Sequence, residues 1–168
     1  LVTFIKNDLQ IFGVGVLIFL VVTLSFIFRQ LRWVILPVLT CSFSVIATTG
    51  LLGMFGWEVT VISSNFISLQ LIITMAITIH LIVRYRELAR TQPDKNQHDL
   101  VLDTVVFMAM PCLYAVLTTI AGFSSLILSG ILPVINFGWM MSAGVSVSLL
   151  MTFLLFPALQ LQFNKLMP

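Results

Sequence analysis

Gln70, Thr74 and Thr78 recur every four residues and offer the most chemistry in this chain. On a helix that spacing places one amide and two hydroxyls on a single face. All three groups are neutral. They donate and accept hydrogen bonds but do not act as acids or bases near neutral pH. A second set, Thr118, Gly122, Ser125 and Ser129, follows the i, i+4, i+7, i+11 rhythm with Thr119 beside it, and Gly138, Ser142 and Ser146 repeat every four. Stripes of this kind either pack helices closely, with hydrogen bonds of about 0.6–2 kcal/mol each, or line a path for protons, water or lipid. The candidates for a polar relay or lining are therefore Gln70, Thr74, Thr78, Thr118, Thr119 and Ser125. Gln70 is the hardest to explain by packing, because an amide in hydrocarbon needs partners. Gly122 marks an expected close approach of a neighbouring helix.

Other chemistry is missing. There is no His/Asp/Ser grouping, no phosphate-binding glycine loop and no metal-ligand spacing. The expectation is a non-enzyme with no catalytic residue, metal or cofactor. Ionisable groups at membrane depth are costly and tend to be functional, yet Asp8, Glu58 and Glu87 all fall at the ends of apolar runs. His80 stands four residues, about 6 Å of helix, before Arg84. It reads either as a proton-relay member or as an interfacial histidine bonded to a headgroup or carbonyl. Asn65, with Ser63 and Ser64, either caps or kinks a helix or meets something from outside.

The elements that must position these groups belong in a bilayer. Hydrophobic residues make up 60% of the chain and charged residues 8%, against roughly a quarter charged in soluble domains. The net charge of +2 is unclustered, so nucleic acid is not an expected partner. Cys41 and Cys112 lie in or beside apolar runs and suggest no disulfide framework. Five spans are expected, at about 9–28, 31–53, 59–83, 111–130 and 133–157, each near the ~20 residues that cross a bilayer core. Pro37 falls in the early turns of the second. Pro111 and Pro133 suit first-turn positions. The fold class is thus an all-α polytopic helix bundle, read as one membrane domain over 1–168 and as a fragment of a larger protein.

Arg29, Arg32, Arg84, Arg86, Arg90, Lys95 and Lys165 fall on one side if the spans alternate, against Lys6 on the other. Positive residues favour the cytoplasm, so the amino end is expected outside and the carboxyl end inside. Trp33, Tyr85 and Tyr114 are expected at the inner interface, Trp57 and Trp139 at the outer. The one sizeable loop, 84–110, suggests a helix over 93–110 with Asp94 as N-cap and Gln97 completing a capping box. It either lies on the inner membrane surface or extends the fourth span.

Three stretches resemble a known family. Residues 79–87 (IHLIVRYRE) resemble the inner end of the fourth helix in the membrane core of resistance–nodulation–division (RND) transporters. Residues 117–126 (LTTIAGFSSL) resemble the fifth, and the run from Phe137-Gly138 to Pro157-Ala158 the sixth. The likeness is greatest to the lipid-exporting MMPL branch and to the sterol-sensing domain of Patched-like proteins. It implies the half-bundle that follows a large extracytoplasmic domain, in a bacterial inner membrane. The implied partners are membrane lipids, a lipid or other hydrophobic cargo, and a second half of the same protein or another copy. It implies ion-driven export or, alternatively, a lipid-binding regulatory module. Many members carry an aspartate associated with proton coupling in a Gly-Ile-Asp-Tyr-like run of the fourth helix. Ala76 stands at that place here.

Overall fold

The structure is a computed structural model that describes residues 2–56 and 65–166, with side chains for Ile11, 13–56 and 65–162. It is an all-α bundle of five helices: α1 (Val2–Phe28), α2 (Arg32–Met54), α3 (Phe66–Thr91), α4 (Gln97–Ser125) and α5 (Leu132–Leu166). A short 3₁₀ turn, Leu126–Ser129, links the last two. Arg32–Met54, Phe66–Thr91, Gln97–Ser129 and Leu132–Gln162 are long and apolar enough to cross a membrane, whereas the apolar part of α1 described with side chains, Gly13–Phe28, is shorter.

Helices dominate because hydrocarbon offers the backbone no hydrogen bonds, so each segment must satisfy its own. The breaks fall where the sequence permits a left-handed residue. Gly56 (φ 63) follows α2, and Gly130 (φ 72) separates the 3₁₀ turn from α5. Arg29 (φ 51) does the same in the tight α1–α2 turn despite its side chain.

α2, α3 and α5 pack on one another, α4 packs on α3 and α5, and α1 lies against α2 and α3. One apolar core centres on Trp33, Tyr85 and Phe156, with ring centroids 5.8 Å and 6.5 Å apart. A second, at the other end, holds Leu52, Phe66, Met140, Met141 and Val145. Arg86 lies 5.2 Å from the Phe28 ring and 5.9 Å from Trp33. Arg84 lies 4.5 Å from Phe107. The α1–α2 turn and the end of α3 thus bring their arginines to one end of the bundle, as alternation of the spans requires.

Several boundaries differ from the sequence reading. α3 runs on to Thr91 rather than stopping near residue 83, and α5 continues through Pro157. The expected helix over 93–110 takes the second of its two expected forms, an extension of the fourth span. It begins at Gln97 and continues through Pro111 as α4, so Pro111 is mid-helix. Asp94 is not the cap. Asn96 precedes the helix, with no side-chain cap bond. The reason is packing: Leu100 and Val101 join the Trp33–Tyr85–Phe156 core, and Gln97 Nε2 donates to the Gln160 carbonyl of α5 at 3.1 Å. Those contacts hold the helix against the bundle through a proline that would break an isolated one. Asn65 likewise precedes α3 without a side-chain cap bond. Trp57, Glu58, Ser63 and Ser64 lie outside the described residues, as do the side chains of Lys6, Asp8 and Lys165.

Candidate functional site

The densest polar contact in the bundle centres on Gln70, which is fully buried. Its Nε2 lies 2.6 Å from Ser148 Oγ, 2.8 Å from the Gly144 carbonyl, 2.9 Å from Thr48 Oγ1 and 3.3 Å from Ser44 Oγ. An amide nitrogen has two protons, so it serves at most two of these four oxygens well at a time. The Gly144 carbonyl can only accept, which fixes which end of the amide points inward. The hydroxyls are free to accept because their own protons have other places. Thr48 donates to the Ser44 carbonyl at 2.8 Å and Ser148 to the Gly144 carbonyl at 2.9 Å. Thr74 Oγ1 lies 2.9 Å from Ser148 Oγ, and Ser44 Oγ lies 3.0 Å from it.

Three helices supply this seam, each with a four-residue repeat. Thr40, Ser44 and Thr48 lie on α2; Gln70, Thr74 and Thr78 on α3; Gly144, Ser148 and Thr152 on α5. Every hydroxyl and amide side chain in these repeats is fully buried. Thr40 and Thr78 bond the carbonyls of Leu36 and Thr74, one turn back. Among the described residues two buried polar side-chain atoms have no partner: Gln70 Oε1 and Thr152 Oγ1. An unmet polar atom costs about 1–3 kcal/mol.

Gly144 is what lets the amide in. A Cβ there would fall 2.2 Å from Gln70 Oε1 and 3.4 Å from Thr48 Cγ2. Serine or alanine could not occupy this place without displacing the amide from its bonds.

Of the six residues expected as a relay or lining, the structure brings Gln70 and Thr74 together and keeps Thr78 one turn below. Thr118, Thr119 and Ser125 are elsewhere. They lie on α4 away from the seam and bond backbone carbonyls of their own helix, at Ala115, Ala115 and Gly122. Gly122 is exposed, and a Cβ there would meet nothing within 4 Å. Among the described residues no helix makes the expected close approach at Gly122. α4 turns a different edge to the bundle. That edge meets α5 at Gly138, where a Cβ would lie 2.7 Å from the Phe123 carbonyl. Ser142 joins this second contact, donating to Gly138 and lying 3.4 Å from Ser124.

Sequence reading missed Ser44, Thr48, Gly144 and Ser148. The signal was present as two further four-residue repeats. On α5 the repeat through Gly138 and Ser142 drew attention first, and it faces α4 instead.

Ala76 and His80 point away from the seam. Both are exposed and line an open groove of about 290 Å³ between α3 and α4. No group of three or more His, Cys, Asp or Glu side chains gathers among the described residues. The seam itself is a neutral hydrogen-bond array that ties three helices together.

A family model, MMPL family, matches residues 1–165. No curated protein and no solved structure matches the chain. The family match spans nearly the whole chain, and it fits the all-α bundle of apolar helices described above: this protein belongs to the MMPL family.

Proposed function

We propose that this chain is the membrane half-bundle of an exporter of lipids or other hydrophobic molecules, driven by an ion gradient in the full-length protein. The observation that carries the reading is the Gln70-centred seam, a buried polar array in a chain of MMPL type. Such an array ties α3 to α2 and α5, so the three helices move as one body. Each bond across it is modest, about 0.6–2 kcal/mol, which suits a unit that shifts against neighbours without leaving a charge unpaired.

In this reading the ion-coupling acid comes from outside the chain. Ala76 cannot hold a proton, so a second half of the protein or another copy supplies the acid. Seam residues do not reach such a partner, because they are fully buried within this bundle. The arginine-rich end faces the cytoplasm of a bacterial inner membrane, the amino end faces outside, and the chemistry is transport rather than catalysis.

One observation favours a second reading. Ala76 in place of the family's aspartate suits a sterol-sensing-like module that binds lipid and regulates without its own transport cycle. Efflux of a fluorescent lipid analogue from cells bearing the full-length protein, under an imposed pH gradient, separates the two. Export predicts efflux that rises with the gradient and collapses with a protonophore. Efflux indifferent to the gradient would replace it with the regulatory reading.

A further inference from the structure

We infer that the exposed face of α3 is a binding site for an anionic phospholipid, with one chain in the α3–α4 groove and the phosphate at Arg86 and Arg90. Ala76, His80, Val83, Glu87 and Arg90 are all exposed and follow one another at three- or four-residue steps, so they form one continuous face. Its first half borders the apolar groove of about 290 Å³ lined by Ala76, His80 and, across from them, Ala115 of α4. Its second half borders a polar hollow of about 390 Å³ at Val83, Arg86 and Arg90. The two hollows are separate but follow one another along α3, His80 lining the apolar one and Val83, one turn on, the one that holds the arginines.

The charge argues for an anion. Among the described residues, carboxylates pair with Arg84, Lys95 and His98. Glu87, the one acid in the hollow, is held by Arg84 at 2.7 Å. Arg86 and Arg90 have no carboxylate partner among the described residues. Arg86 is further held by its approach to the Phe28 and Trp33 rings, 5.2 Å and 5.9 Å away. Depth argues for a membrane lipid. Twenty residues separate Phe66 from Arg86, about 30 Å of helix, which is the thickness of the hydrocarbon core. The guanidinium groups therefore stand at headgroup level on whichever side that end faces. Basic pockets of this kind beside membrane helices bind lipid phosphates.

This inference rests on the lipid-handling reading above but is separable from it. Full-length protein is placed in bilayer discs of equal phosphatidylglycerol and phosphatidylcholine, released gently, and its retained lipids are counted by native mass spectrometry. Phosphatidylglycerol should be retained over phosphatidylcholine. Arg90→Gln should lower that retention on the order of fivefold, and Arg90→Lys should keep most of it. Ala76→Phe fills the groove and should also lower retention, with an unchanged melting temperature because the position is exposed. Equal retention of the two lipids, or indifference to both Arg90→Gln and Ala76→Phe, would overturn the site. So would a dimer in place of bound lipid that Ala76→Phe dissociates, which would assign the face to a second copy. Gradient-indifferent efflux with intact retention removes only the transport reading; gradient-driven efflux with no retention removes only the site.

Discussion

Gln70, Thr74 and Ser148 are fully buried and bonded across helices, whereas Thr118, Thr119 and Ser125 bond only the backbone of their own helix. Both groups sit on apolar helices at helical spacing. Their difference lies in what the neighbours provide. A lone hydroxyl in a helix is satisfied by the carbonyl one turn back, so it is indifferent to which way it faces. An amide is not. Gln70 needs partners that its own helix does not supply, and α2 and α5 supply them through Ser44, Thr48 and Ser148. Glycine then decides whether the helices approach closely enough, as at Gly144, or have no reason to, as at Gly122.

Substitutions can break this contrast. The largest effect is expected at Gly138, where the obstacle is backbone: a Cβ falls 2.7 Å from the Phe123 carbonyl. Gly138→Leu should force α4 off α5 and remove most folded protein, read as the monodisperse fraction on size exclusion in detergent. Gln70→Leu should be milder. It keeps volume and removes the orphan Oε1, but it leaves the seam hydroxyls without their shared donor. A loss of about 1–2 kcal/mol is expected. At roughly 2–4 °C per kcal/mol for a chain of this size, thermal unfolding should fall by several degrees. An unchanged melting temperature would reduce the seam to space filling.

The all-α class, the approximate spans and the gathering of arginines at one end were legible in the sequence, because hydropathy and charge act locally along the chain. Gln70 was legible for the same reason: an amide amid hydrocarbon stands out whatever surrounds it. Its partners were not. Ser44, Thr48 and Ser148 resemble the outward-facing Thr118 and Ser125 in type and spacing, and only the packed arrangement of helices distinguishes them. Pro111 misled for a related reason. Proline ends helices in isolation, but here the contacts of Leu100, Val101 and Gln97 with the rest of the bundle carry α4 through it.

The most direct test compares two one-methyl changes in the same chain, Gly144→Ala and Gly122→Ala, by thermal unfolding in detergent. Both gain the helix preference of alanine over glycine, up to about 1 kcal/mol, so that contribution cancels. At Gly122 nothing lies within 4 Å of the new methyl, and at Gly144 it falls 2.2 Å from Gln70 Oε1. The account predicts a melting temperature unchanged or raised for Gly122→Ala and lowered by several degrees for Gly144→Ala. Equal shifts, or a fall at Gly122 alone, would contradict the placement of the seam.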